Sequence, residues 1–170
     1  MSEIVWQYFP KSASTPKHLE DIVKIFVNNE HNISSQTKTL VSNKVLSFLR
    51  SELQSLGYDV ESDTKRENRV RIPVLFGKNG KTDKSFDADA YNKETKTVIE
   101  VEAGRAVANN QFLKDLFEAC MMNETDYLVI SVRKTYRGKK DFETVNLFFD
   151  VLFASRKMDL PLKGILVIGY

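Results

Sequence analysis

The chain has 170 residues, 42% of them hydrophobic and 28% charged, which suits one folded domain with a sizeable core. Its 25 Lys and Arg against 23 Asp and Glu leave a formal net charge of +2, so no global field directs it to nucleic acid and any basic surface must be local. The single cysteine, Cys120, excludes an internal disulfide and a thiolate metal cluster. With no secretory pattern in Met1 to Pro10 and no run approaching the ~20 apolar residues of a membrane span, the expectation is a cytoplasmic protein without a membrane partner.

In chain order, residues 1–36 read as a polar, mixed addition. Lys11 to Pro16 is a loop, and Thr15 with Pro16 opens a helix on which Leu19, Ile22, Val23 and Phe26 recur at helical spacing. Asn28 to Ser35 reads as another loop. A second helix is predicted from Thr37 to Leu56, with Val41, Val45, Phe48, Leu49 and Leu56 as its apolar stripe and Gly57 as its C-terminal stop. Strands are predicted over Tyr58–Glu61, Arg69–Phe76, Ser85–Tyr91 and Thr97–Glu102, the last two joined by a turn at Asn92 to Thr95. A third helix starts near Asn109, with Leu113, Leu116, Phe117 and Cys120 inward. A buried strand follows over Asp126–Val132. Asp141 caps a further helix with Val145, Phe148, Phe149 and Leu152 inward, and Gly164–Gly169 is a last strand. The helix between Glu102 and Asp126 is a crossover that permits parallel pairing, so the fold expected is a mixed α/β sheet flanked by helices.

The informative stretch is Phe86-Asp87-Ala88-Asp89-Ala90-Tyr91, followed by Val98-Ile99-Glu100-Val101-Glu102. Side chains alternate along a strand, so Asp87, Asp89 and Tyr91 share one face, and Glu100 and Glu102 share one face. Phe86, Ala88, Ala90, Ile99, Val101 and Ala103 take the other. A four-residue loop sets Asp87 across from Glu100, and a two-residue loop at Glu94 and Thr95 sets Asp89 there instead. Either register gathers four carboxylates on one face. Like charges directly opposite destabilise a sheet, and a hard divalent cation would balance them. A solvated acidic hairpin presents the same pattern.

This hairpin resembles the signature of the PD-(D/E)XK nuclease superfamily: Asp87, a spacer, then Glu100-Val101-Glu102 followed by Ala-Gly-Arg. The resemblance covers roughly Thr37 to Val132. It implies a restriction-endonuclease-like core of order αβββαβ within a single domain over 1–170, and hydrolysis of phosphodiester bonds of DNA with Mg²⁺ or Mn²⁺. Asp87 (or Asp89), Glu100 and the Val101 carbonyl would bind metal; Glu102 would bind a second metal or accept a proton from water. Three positions depart from the pattern. Phe86 replaces a proline, Glu102 replaces the lysine that often positions the attacking water, and Asn43 stands where members often place a helical Glu. The last two departures favour the alternative of a degenerate nuclease-fold module that binds nucleic acid or a partner protein.

Nucleic-acid contacts are assigned by charge. Arg105, after Gly104, is placed to meet a phosphate or to form a surface ion pair. Asn109, Asn110 and Gln111 lie where a helix begins, and either cap it or meet an anion. Arg133, Lys134, Arg137, Lys139 and Lys140 put five positive charges within eight residues, around Tyr136. Lys65, Arg66, Arg69 and Arg71 form a weaker cluster. His18 and His31 lack spaced partners, so zinc is not expected. Double-stranded DNA is the expected substrate, and a palindromic cutter would be a homodimer.

Overall fold

A computed structural model describes residues 2–62 and 65–170, with the side chain of Arg66 outside the description. The described residues form eight strands and five α-helices: β1 Val5–Phe9, α1 Lys17–Asn28, α2 Glu30–Ile33, α3 Ser42–Ser55, β2 Asp59–Val60, β3 Val70–Phe76, β4 Thr82–Ala88, β5 Ala90–Asn92, β6 Thr97–Glu102, α4 Gln111–Met121, β7 Tyr127–Val132, α5 Asp141–Ser155 and β8 Gly164–Gly169. Six strands form one mixed sheet in the order β1-β8-β7-β6-β5-β2, and β3 pairs with β4 as a separate two-stranded ribbon. β6, β7 and β8 run parallel, and the remaining pairs are antiparallel. The coarse expectation holds: a mixed sheet flanked by helices, with a parallel pair made by the crossover through α4.

The central strands are buried on both faces, as parallel strands must be when helices cover both sides. Ile99, Val101, Val129, Leu166 and Ile168 pack with the stripes of α1 and α3, namely Leu19, Ile22, Phe26, Val45 and Leu49. Their neighbours Val98, Leu128, Ile130, Ile165 and Val167 pack on the opposite side with Phe112 and Leu116 of α4 and Val145 and Phe149 of α5. Glu100 and Glu102 lie in alternation with Ile99 and Val101, and so face the α4 side.

Several boundaries differ from the sequence reading. β1 falls in the segment read as polar addition: Val5 and Trp6 are exposed at the sheet edge and only Tyr8 and Phe9 are buried, so no alternation marks it. A short helix, α2, occupies part of the expected loop after Asn28. α3 begins at Ser42 rather than Thr37, and Val41, expected inward, is 70% exposed. On α4, Phe112, Asp115, Leu116 and Ala119 face inward, while Phe117 is exposed. On α5, Phe148 lies at the margin, in edge-on contact with Phe112. Asp141 is the first residue of α5, without a side-chain capping bond, and is buried.

Candidate active site

Asn92 sets the geometry of the acidic hairpin. Its Oδ1 accepts from the backbone N–H groups of Glu94 (2.9 Å) and Thr95 (3.0 Å), and its Nδ2 donates to the Leu56 carbonyl (3.0 Å). This side-chain-closed turn, with Lys96 in the left-handed region at φ 52°, makes Asn92 and Thr97 the last paired residues. Ala90 then pairs with Ile99, so Asp89 stands one step beyond, across from Glu100. Of the two registers open to the sequence, the second is the one observed, through a loop at residues 93–96.

The first strand is not continuous. Ala88 packs on the α4–α5 side and Ala90 on the α1–α3 side, so the chain bends at Asp89 and the alternation expected through Phe86, Ala88 and Ala90 breaks there. The bend separates the two aspartates. Asp87 is exposed on the ribbon, where its Oδ2 accepts from Arg69 (2.7 Å) and its Oδ1 lies 3.7 Å from Arg71. Asp89 turns to the main sheet, and its Oδ2 accepts from the Val101 N–H at 2.7 Å.

Asp89, Glu100, Glu102 and Asp115 line one cavity of about 200 Å³ between β6 and α4, with Ser42, Glu61, Asp87, Gln111, Lys114 and Glu118 also on its wall. Burial is the first cause of the raised proton affinity of its four central carboxyls, and neighbouring carboxylates on the wall add to it. Asp89 is raised to about 7 by burial, against the pull of its Val101 hydrogen bond. Glu100 is pushed well above the usual range by burial and then by Asp89 and Asp115. Glu102 rises to about 8 through burial and the Asp115 charge, and Asp115 to about 6 through burial. Lys114, the one basic side chain on the described wall, is 3.4 Å from Glu118. Glu102 is held from behind: its backbone carbonyl accepts from the Tyr170 hydroxyl at 3.0 Å, and the Glu100 carbonyl lies 3.3 Å from the Ser131 hydroxyl.

Among the described residues, no three Asp, Glu, His or Cys side chains are grouped so as to hold a metal ion as they stand. The donor set nevertheless suits a hard divalent cation. All the central groups are carboxylates, and Asp115 Oδ2 is buried with no hydrogen-bond partner.

The other sequence-assigned residues divide. Arg105 is exposed, beside Glu102, on the wall of a neighbouring cleft with Val41 and Ser42. Asn109 and Asn110 are exposed, but Asn110 adopts φ 52° before α4 and makes no side-chain cap, so capping is not its role. On α3, Ser42 lines the cavity, while Asn43 is exposed and is not on its wall. Arg133 is 6% exposed, donates to the Leu40 carbonyl and stacks over Tyr136, so it is removed from any nucleic-acid surface. Lys134 is largely enclosed and donates to the Glu3 carbonyl at 2.8 Å. Arg137, Lys139 and Lys140 remain exposed. They stand at the same end of the sheet as Glu102, because Glu102 pairs with Val132 and the Tyr136 ring lies directly over Gly104. His18 packs edge-on to Tyr127, remote in sequence from the hairpin.

Asp115 and Glu118 are not among the residues the sequence points to, and Gln111, expected at a helix start as a cap or an anion contact, instead lines the carboxylate cavity. Together the three show an i, i+4, i+7 spacing of polar residues on α4, interleaved with a buried apolar stripe. Glu61 and Ser42 carry no local signal. Set against protein-family models, curated proteins and solved structures, the chain matches none.

Proposed function

We propose that the protein is a Mg²⁺- or Mn²⁺-dependent endonuclease that hydrolyses phosphodiester bonds of DNA, in the manner its hairpin shares with the PD-(D/E)XK superfamily. The observation that supports this most strongly is the convergence of Asp89, Glu100, Glu102 and Asp115 on one small cavity, where burial first and neighbouring carboxylates second raise their proton affinity. Strongly perturbed carboxyls in a cleft mark sites that bind cations or move protons.

Asp89, Glu100 and the Val101 carbonyl are the metal-holding groups of this reading, with Asp87 at the rim. A bound divalent ion supplies charge stabilisation at phosphorus and a more acidic water. The chain's own residues do the rest. The Val101 N–H engages Asp89 Oδ2 and fixes that carboxylate on the cavity wall beside Glu61. Glu102, held in place by Tyr170, takes the proton of the attacking water once its own proton has left, which occurs near pH 8 in the absence of a cation. Arg105 and the exposed Arg137, Lys139 and Lys140 bind the flanking phosphates.

Incubation of the protein with supercoiled plasmid, single-stranded DNA and RNA, in Mg²⁺, Mn²⁺ or EDTA and beside Glu100→Ala, tests the reading. Metal-dependent cleavage that disappears in the variant is the expected result. Intact substrates in both metals would overturn it. The second reading, a nuclease-fold module that binds nucleic acid without cutting, is favoured by Glu102 in place of a lysine and by an exposed Asn43. It predicts a gel shift with no cleavage.

A further inference from the structure

The β3–β4 ribbon contributes only its foot to the cavity. It leaves the six-stranded sheet at Asp89 and pairs only with itself, with register irregularities after Pro73. It is anchored over its lower half, where Ile72 packs in the core and the Asn123 N–H donates to the carbonyl of Pro73, midway along β3, at 2.8 Å. Open clefts flank it, one of about 700 Å³ toward β2 and one of about 500 Å³ along Thr82 to Asp87. From Arg69 to Ala88 it holds five basic residues against Asp83 and Asp87, a net charge of +3 in a chain whose total is +2. Basic surface of the local kind that the small net charge leaves to be found therefore lies here as well as at Arg137, Lys139 and Lys140.

Arg69 and Arg71 at the foot are taken up by Asp87. Lys78 and Lys81, on the turn, are exposed and have no ion-pair partner among the described residues. Leu75 and Phe76 beside them are 58% and 54% exposed. A turn that pairs free ammonium groups with uncovered apolar side chains suits a surface of phosphates flanking base edges. A two-stranded ribbon fits the major groove of B-form DNA, which is roughly 12 Å wide. The deep, narrow major groove of an A-form RNA duplex does not admit it. β4 has seven residues, a reach of about 20 Å from turn to foot.

We infer that the β3–β4 ribbon is a docking arm that lies in the major groove of double-stranded DNA, with Lys78 and Lys81 on the phosphates, and sets the backbone over the carboxylate cavity at its foot. The purpose of the arm rests on the nuclease reading; its affinity for the duplex does not.

The test is fluorescence anisotropy in EDTA with a labelled DNA duplex of roughly 30 base pairs, the RNA duplex of the same sequence and single-stranded DNA, over a range of salt. Lys78→Glu/Lys81→Glu is compared with the charge-matched Arg156→Glu/Lys157→Glu at the end of α5. The expected result is tightest binding to the DNA duplex, weakened roughly 10-fold by the ribbon variant with the salt slope reduced by about 2, and unchanged in the control. Equal binding by the ribbon variant and wild type, equal affinity for the RNA duplex, or no binding by wild type would each overturn the inference. Plasmid cleavage in Mg²⁺ on the same preparations separates the two readings. Ribbon-dependent binding without cleavage removes the nuclease and keeps the arm. Cleavage with ribbon-independent binding does the reverse.

Discussion

Asp87 and Asp89 are two residues apart and meet opposite surroundings. Asp87 is matched by Arg69 at 2.7 Å, whereas Asp89 sits beside Glu100 and Glu61 and is stabilised as an anion chiefly by one backbone N–H. On the nuclease reading, Asp89→Asn therefore lowers the plasmid-nicking rate by roughly 100-fold or more, the scale set by loss of a positioned catalytic group, while Asp87→Asn changes it by far less. Rates of equal size for the two variants would contradict this assignment. Glu102 is the residue whose proton leaves near pH 8. Glu102→Gln removes a half-buried group that resists ionisation, so the variant melts at a higher temperature than wild type at pH 8.5 in EDTA. The same change abolishes cleavage. A gain in stability with a loss of activity is the signature of a group held for chemistry rather than for packing.

The elements that build the site meet at one tight contact and one polar intrusion into an apolar face. Gly104, at φ +106°, ends the β6 segment directly beneath Tyr136, and a Cβ there would lie 2.5 Å from the ring. Gly104→Ala forces either the backbone or the Tyr136 loop to move, at a cost of about 1–3 kcal/mol. Urea titration measures the cost, and an unchanged midpoint would show that the loop yields freely. On the opposite wall, α4 carries Asp115 into the cavity on an otherwise apolar face, with Gln111 Nε2 3.1 Å from Asp115 Oδ1. Asp115→Asn removes one of the charges that raise Glu102. The pH at which Glu102 titrates should fall, which carboxyl NMR resonances would follow directly. No movement would mean that burial alone sets the Glu102 proton affinity.

At the scale of the whole molecule, the carboxyl cluster links stability to pH and to cations. Unfolded Asp and Glu release their protons near pH 4, whereas in the folded chain Asp115, Asp89 and Glu102 do so at about 6, 7 and 8. Between those limits the folded state binds more protons than the unfolded one. These groups therefore contribute stability fully below about pH 4, and it is lost progressively as pH rises through 6 to 8. In EDTA the melting temperature is expected to fall from pH 5 to pH 8.5. A divalent cation that binds the ionised cluster should restore it at pH 8.5 with little effect at pH 5. Differential scanning calorimetry with and without Mg²⁺ checks both halves. An identical pH profile with the cation would indicate that the cluster does not bind it. Among the described residues no helix is long and apolar enough to cross a membrane.

Periodicity alone determined the interior elements of this fold. The 3.6-residue stripes of α1 and α3 and the largely apolar runs of β7 and β8 state their burial locally, and the paired glutamates of the hairpin declare themselves by alternation. Edges and irregular points were decided only in three dimensions. β1 is a strand because β8 offers it an unpaired edge, not because its residues alternate. Asp89 rather than Asp87 faces Glu100 because Asn92 closes the turn with its side chain and the chain bends between Ala88 and Ala90. Arg133 and Lys134 look like the start of a basic loop in one dimension, but β7 carries them to the Leu40 and Glu3 carbonyls. Asp115 is polar on a helix whose neighbours are buried, and only the packing of α4 against β6 turns that anomaly into a fourth carboxylate of the site. The side chains that carry charge were legible in the sequence. Which of them meet was fixed by register, bend and crossover, since those bring together groups far apart along the chain.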